Sequence, residues 1–292
     1  MVILVTGANG QLGQSLQLVS KEVTEITFVF CDSNELNITD IESCKQVFDT
    51  HQPNYCINTA AYTAVDKAEI EQEKAFAVNV IGAKNIAEVC KLHNTVLLHV
   101  STDFVFDGQK NTPYTEQDQP NPTGVYGQTK LEGEQAIQQS WKKHFIVRTS
   151  WVYSQFGANF MKTMLRLASE RASLSVVNDQ IGTPTNAVDL ATCLVQICII
   201  NHQQPTTNNY GIYNYSNDGQ VSWFEFAKEI FNKNGITITV NPISTSEYPT
   251  PAQRPAYSVL DKSKIKNVFG FEIKPWEESL ASAINFIGYI TK

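Results

Sequence analysis

Val2-Ile3-Leu4-Val5-Thr6-Gly7-Ala8-Asn9-Gly10-Gln11-Leu12-Gly13 is the stretch that decides the fold. Its first four residues are apolar and mostly branched, the composition of a strand buried on both faces of a parallel sheet. Glycines then stand at 7, 10 and 13. That spacing lets the backbone turn sharply, approach a pyrophosphate and pack the next helix against the strand. The helix start offers N–H groups and a partial positive charge to the phosphates. An ordinary tight turn uses the same residues, so the glycines alone prove little. Their place between a strand and a helix is the context a dinucleotide cradle requires.

The same alternation runs outward from this point. Ile26–Phe30, Tyr55–Asn58, Val96–Val100 and Phe145–Val147 are further short apolar runs. Between the runs, Gln11–Ser20, Asp40–His51, Ala68–Leu92 and Val125–Ser140 carry helical periodicity. Strand–helix alternation predicts an α/β fold, a Rossmann-like doubly wound parallel sheet. After Trp151 the pattern changes. A helix over Asn159–Arg171, a strand over Leu174–Val177, a Gly182-Thr183-Pro184 turn and a helix over Asn186–Ile200 follow. Ser222 and Glu225 have capping-box spacing and start another helix. Pro242–Ser258, rich in Pro, Thr, Ser and Tyr, reads as an ordered loop or lid. Pro275 sits at the first turn of a last helix, with Glu277 and Glu278 near its positive end. Residues 1–150 are therefore expected to form a dinucleotide-binding domain, completed by segments of about 174–220. Residues 151–292 are expected to be mainly a smaller C-terminal substrate-binding part, interleaved with the first.

Bulk properties narrow the partners. A net charge of −7 over 292 residues argues against a nucleic-acid polymer, whose binders carry a basic face. Arginine is scarce: only Arg148, Arg166, Arg171 and Arg254 are present. Six cysteines without a CxxC pair or a histidine cluster read as free thiols in a reducing compartment, with no metal site. Met1 runs straight into a strand instead of a signal peptide, and the apolar stretch Leu190–Ile200 is too short for a bilayer. The expectation is a cytoplasmic protein with no membrane partner.

Tyr126 and Lys130 stand four residues apart, on one face of a helix. Reducing a ketone by hydride needs a proton for the nascent alkoxide, and a phenol is a poor acid at neutral pH. A nearby ammonium stabilises phenolate and brings that acid toward the working range. The lysine can also bond a nicotinamide ribose. A tyrosine and a lysine on a helix flank are common, so the pair needs support. Ser101-Thr102-Asp103 gives it, falling where a strand ends, which is where such sheets bind ligands. Thr102 is placed to bond a substrate carbonyl and its developing oxyanion. Asp32, just past the second strand, suits the adenosine ribose hydroxyls, and no arginine follows it to attract a 2′-phosphate. That tilts the choice between NADH and NADPH toward NADH. A solvated turn aspartate is the competing reading.

The order and spacing of cradle, strand-end threonine and Tyr126/Lys130 resemble the extended short-chain dehydrogenases. Longer blocks narrow the resemblance: Asn58–Glu69, Ser101–Phe106, Tyr126–Glu134, Arg148–Tyr153, Asn159–Met164, Asn178–Thr185 and Tyr248–Pro255 are similar to the signature blocks of dTDP-4-dehydrorhamnose reductases. The resemblance covers nearly the whole chain. It implies reduction of the 4-keto group of a dTDP-linked deoxysugar by NADH or NADPH, with Thr102, Tyr126 and Lys130 catalytic. It places Gly7, Asn9, Gly10, Gln11, Leu12, Asp32, Asn37, Ala60, Ala61, Thr63, Ser101, Tyr126 and Lys130 at the cofactor. Val65, Asp66 and Asp103 would lie at the sugar, with Trp151 as an apolar wall. Asn159, Gln180 and Arg254 would grip the nucleotide diphosphate.

Some positions depart from the family. Ser15 and Val188 stand where some members carry the acidic ligands of a magnesium-bridged dimer. The expectation is therefore no metal, and a monomer or weak homodimer. Phe104 replaces the tyrosine often found after Thr-Asp. Two rival functions draw on the same residues. A sugar-nucleotide epimerase or dehydratase would need an extra acid where Phe104 stands. A non-catalytic regulatory subunit, resembling that of methionine adenosyltransferase, would have no need of Thr102, Tyr126, Lys130 and Arg254 together.

Overall fold

A computed structural model describes residues 1–205 and 209–290, with side chains to residue 286. Among the described residues, six strands form one parallel sheet. Five come from the first half: β1 (Val2–Thr6), β2 (Thr27–Cys31), β3 (Tyr55–Asn58), β4 (Val96–Thr102) and β5 (His144–Thr149). Gly211–Asn214 completes the far edge, giving the order 211–214, β5, β4, β3, β1, β2. The order reverses between β1 and β3, and the crevice beyond the carboxyl ends at such a switch point is where these sheets bind ligands.

The strands are apolar on both faces because both faces are covered. Ile3, Val5, Ile57, Leu98, Phe145 and Val147 pack with Leu12 and Leu16 of helix α1 (Gln11–Val19) and with the helix Ala187–Gln203. The alternate residues Leu4, Cys56, Leu97 and Ile146 face the other way, onto Phe48, Ile86, Val89 and Ile137. This period-two division is what a doubly wound sheet imposes. A separate core of Met161, Leu174, Phe226, Ile230, Trp276 and Leu280 lies among later helices. All six cysteines are free and buried. Among the described residues, no helix is long and apolar enough to cross a membrane.

Three local expectations are corrected. The helix expected over Ala68–Leu92 is interrupted: a short turn spans Val65–Ala68, and the helix resumes at Gln72. It then widens into a π turn at Ala77–Gly82 before Ala83–Leu92. In that turn Asn79 reaches across to the Tyr62 backbone, accepting from its N–H at 2.9 Å and donating to its carbonyl at 3.2 Å. Apolar periodicity is blind to such a turn. Part of the expected Pro242–Ser258 loop is the end of a strand, Thr239–Ile243, paired in parallel with Ser173–Val177. Pro242 is tolerated because this sheet has only two strands, both of them edges. Pro275 precedes the last helix, Trp276–Ile290, as its cap, and its carbonyl takes the first helical bond from Ser279.

Candidate active site

Beyond the ends of β1, β2 and β3 lies a cleft of about 340 Å³ lined by Gly7, Asn9, Gly10, Asp32, Asn37, Ala60 and Ala61. Its backbone needs glycine. Gly7 has a φ of +68°, and a Cβ there would meet Ala60 N at 2.9 Å. A Cβ on Gly13 would come within 2.4 Å of Gly7 O, so the α1 helix could not pack so close to β1. No side chain caps the N-terminus of α1, which leaves its first N–H groups facing the cleft mouth for an anion. The cradle therefore fits a dinucleotide pyrophosphate.

Asp32 is at the cleft but already occupied. Its carboxylate accepts from Asn9 Nδ2 at 2.9 Å and from the Asn34 and Glu35 N–H groups. Those turn bonds hold its pKa below the ordinary carboxylate range. Asp32 thus shapes the turn and also lines the cleft.

Other cofactor candidates are placed differently. The Gln11 side chain turns away to Val152 O and Ser154, and Leu12 is in the core. Thr63 is exposed and outside the cleft lining. Ser101 is buried and donates to Glu134 Oε1 at 2.5 Å, pointing away from the cleft. Glu134 is in turn held by Arg148 through Nε at 2.9 Å and Nη2 at 2.7 Å. Sequence reasoning missed this buried ion pair, because only the fold brings β5 beside the Tyr126 helix. Thr59 also lines the cleft, bonding Thr6 O at 2.6 Å.

Thr102, Tyr126 and Asp103 come together at the end of β4. Thr102 Oγ1 donates to Asp103 Oδ1 at 3.0 Å and accepts from the Phe104 N–H. The Tyr126 phenol lies close to Thr102, and its ring stands edge-on to Phe104 at 5.5 Å. Burial pushes the phenol up to about 12, with the Asp103 charge adding to it and Thr102 opposing it. Burial also lifts Asp103 to about 6, against bonds from Ser258 and Thr102, and its Oδ2 has no partner. The expected lowering of the phenol by Lys130 is corrected here. Lys130 Nζ turns under the strand, donating to Val100 O at 2.7 Å and meeting His99 Nε2 at 3.2 Å. Burial brings it down to about 8, opposed by Glu134. A larger open hollow of about 690 Å³ by Glu69, Phe76 and Gln128 contains none of the three groups.

The substrate-side candidates are all engaged. Asn159 caps the helix Phe160–Glu170, accepting from Lys162 N and donating to Ser154 O. Gln180 is buried and donates to Thr245 Oγ1 at 3.0 Å. Val65 begins the short helix that carries Asp66. Asp66 takes both arms of the Arg254 guanidinium, at 2.9 and 2.8 Å. Trp151, at a φ of +47°, stacks on Trp223 at 3.5 Å and closes over Gly182. Its partner Trp223 was missed as a site element.

Known proteins share this arrangement. A family model described as the RmlD substrate binding domain matches residues 1–288. A dTDP-4-dehydrorhamnose reductase of Aggregatibacter actinomycetemcomitans is 44% identical, over 95% of this chain and 96% of that protein. A crystal structure of such a reductase from Clostridium acetobutylicum superposes with a TM-score of 0.92 at 41% identity, covering 99% of this chain and 100% of that one. One from Bacillus anthracis, in complex with NADP, gives 0.90 at 41% identity, covering 98% and 99%.

Proposed function

The chain belongs to the RmlD substrate binding domain family, and we propose that it is a reductase of dTDP-4-dehydro-L-rhamnose, giving dTDP-L-rhamnose. The observation that carries this reading is the meeting of Thr102 and Tyr126 beside a glycine cradle shaped for a dinucleotide. Bound in that cradle, NADH or NADPH supplies the hydride. Thr102 turns its hydroxyl from Asp103 to the substrate carbonyl and stabilises the growing negative charge. Tyr126 gives its proton to the alkoxide. Lys130 supplies the positive charge that a phenol near 12 lacks, once its third N–H is directed to the cofactor ribose and the phenol. Residues 1–150 hold the dinucleotide and residues 151–292 mainly the sugar nucleotide. Val65, Asp66, Asp103 and Trp151 meet the sugar, and Asn159, Gln180 and Arg254 meet the diphosphate. A dehydratase would want a second acid at Phe104, whose ring instead packs on Tyr126.

The test is turnover of purified protein with dTDP-4-dehydro-L-rhamnose and other 4-keto nucleotide sugars, followed by NAD(P)H absorbance. No oxidation of NAD(P)H with any of them would leave a binding or regulatory protein as the better reading. The same assay tests cofactor choice. Because Asp32 faces the ribose position with neutral residues and no arginine lining the cleft, NADH should serve at least as well as NADPH. A strong preference for NADPH in kcat/KM would make Asp32 a turn residue only.

We place the protein in the cytoplasm, in keeping with its six free thiols, as a monomer or weak homodimer. Ser15 is buried with its hydroxyl on Gln11 O, and Val188 offers no oxygen ligand. EDTA should therefore change neither activity nor apparent mass in size-exclusion chromatography. A drop in mass on chelation would reveal a metal-bridged interface.

A further inference from the structure

Three neighbouring strands carry a polar residue at the same register, the last residue of β1 and of β3 and a mid-strand residue of β4. Thr6 of β1 pairs with Asn58 of β3, and Asn58 with His99 of β4. Their side chains join in series. Thr6 Oγ1 donates to Asn58 Oδ1 at 2.6 Å, and Asn58 Nδ2 meets His99 Nδ1 at 3.0 Å. His99 Nε2 then reaches Lys130 Nζ at 3.2 Å. Thr6, Asn58 and His99 are at most 1% exposed, so the run has no end in solvent and cannot carry protons out. It is a fixture, not a wire. Gly7 and Thr59 follow Thr6 and Asn58 directly, and Ser101-Thr102 lie two and three residues past His99, so the fixture ties the cofactor cradle to the end of β4.

We propose that the Thr6–Asn58–His99 ladder positions Lys130 for ketone reduction, and that His99 is the residue that decides where its ammonium points. The inference rests on the reductase reading above. An ammonium has three donors. Val100 O and, when it accepts, His99 Nε2 fix two directions around Nζ, which leaves one N–H to give to the cofactor and Tyr126. A lysine held only by Val100 O would sweep a cone, and loose placement of a reacting group is costly in rate.

The ladder also has a sense. Thr6 Oγ1 accepts from Ala60 N at 3.3 Å and has one hydrogen to give, which goes to Asn58 Oδ1. The Asn58 amide then donates to His99 Nδ1, so a neutral ring carries its hydrogen on Nε2. That hydrogen faces Nζ and suits the neutral amine. With the amide turned over, Nδ1–H gives to Asn58 Oδ1 and Nε2 accepts from the ammonium. The charge on Lys130 and the sense of the ladder are therefore set together. Around them stand His144 and Arg148 on β5, Glu134 and Tyr126 on the Lys130 helix, and Asp103 after β4. Burial, with Lys130 and His144 adding to it, holds His99 well below its ordinary value, so the ring stays neutral and accepts at Nε2 only in the second sense of the ladder.

Two substitutions should move the pH profile of kcat in opposite directions. Activity needs a charged Lys130, so it falls as pH rises through that group's titration. His99→Leu removes an acceptor from the ammonium and should move this basic limb down by on the order of one pH unit. Asn58→Asp forces Nδ1–H and keeps Nε2 an acceptor, so it should move the limb up by a similar amount. His99→Gln, which retains an oxygen acceptor, should recover part of the His99→Leu loss. Basic limbs that coincide in wild type and both variants would overturn the proposal, even if melting temperatures fall. Should either variant fail to fold, nitrogen NMR of histidine-labelled wild-type protein and of Lys130→Met reads the ladder without substrate. One ring Nε2 should shift on Lys130→Met, whatever the protein reduces. If no histidine nitrogen responds, His99 does not hold Lys130.

Discussion

Replacing Tyr126 with phenylalanine is expected to lower turnover by about 10²–10⁴-fold, the usual worth of a positioned proton donor, while NAD(P)H binding stays nearly intact. The ring would remain edge-on to Phe104, so the substitution removes a hydroxyl and little packing. Burial, with the Asp103 charge adding to it and Thr102 opposing it, pushes that phenol up to about 12, so it is protonated near neutral pH. The proton is thus present, and what the site must supply is a reason to release it. The alkoxide formed on reduction is the stronger base, and the Lys130 charge stabilises the phenolate left behind. Dissociation constants for NADH and single-turnover rates separate the two effects. A variant that turns over at near wild-type rate would remove Tyr126 from the mechanism. One that loses cofactor affinity in proportion would make it a binding residue.

The parts of this site that were legible in the sequence are those in which local order is enough. Gly7, Gly10 and Gly13 announce a cradle because strand, turn and helix follow one another within thirteen residues. Tyr126 and Lys130 share a helix face by spacing alone. Thr102 is at a strand end because its strand is apolar up to that point. Direction of a side chain is another matter. The same helix that aligns Tyr126 with Lys130 also lays Lys130 over β4, and there Val100 O and His99 compete for its ammonium. No periodicity encodes that competition. His99 did leave a trace, since a histidine in a fully buried strand needs partners on both nitrogens. The partners, Asn58 and Lys130, are 41 and 31 residues away.

Ser101 shows the same limit from the other side. The family resemblance puts it at the cofactor, yet neighbours on a strand face opposite ways. Thr102 faces the site, so Ser101 faces Glu134 and, through it, Arg148. A buried carboxylate–guanidinium pair of this kind is costly to break on one side only. The interrupted helix after Asp66 was illegible for a different reason: the π turn keeps its apolar face continuous while Asn79 rotates onto Tyr62.

Arg254→Ala is expected to raise KM for the nucleotide sugar with a cost on the order of 1.5–3 kcal/mol, the range for a hydrogen bond to a charged group. The chain is acidic, so a diphosphate entering the cleft needs a local cation. A guanidinium fork matches phosphate oxygens as it matches a carboxylate. That fork is filled by Asp66, and its Nη1 also reaches Thr250 Oγ1 and Ala252 O. On the proposed reading, diphosphate binding exchanges one anion for another on Arg254. The outgoing partner is a modest one: the two side chains are 26% and 39% exposed, where solvent screens an ion pair. The guanidinium keeps Asp66 acidic below its usual range, so the stability this pair adds is present near neutrality and is lost only as pH falls through that lowered value. Melting temperature and NADH affinity at neutral pH should accordingly change little in Arg254→Ala, and Arg254→Lys should restore only part of the affinity. Inhibition by dTDP, which lacks the sugar, isolates the exchange. Its inhibition constant should rise in Arg254→Ala in step with KM. It should fall in Asp66→Asn, because the resident anion has been weakened and no sugar contact is at stake. If Arg254→Ala leaves both constants unchanged and lowers the melting temperature, Arg254 is a strap for the 250–254 turn. The diphosphate must then be sought near Lys162 and Arg166, whose cations meet Gln155 O and the exposed Glu170.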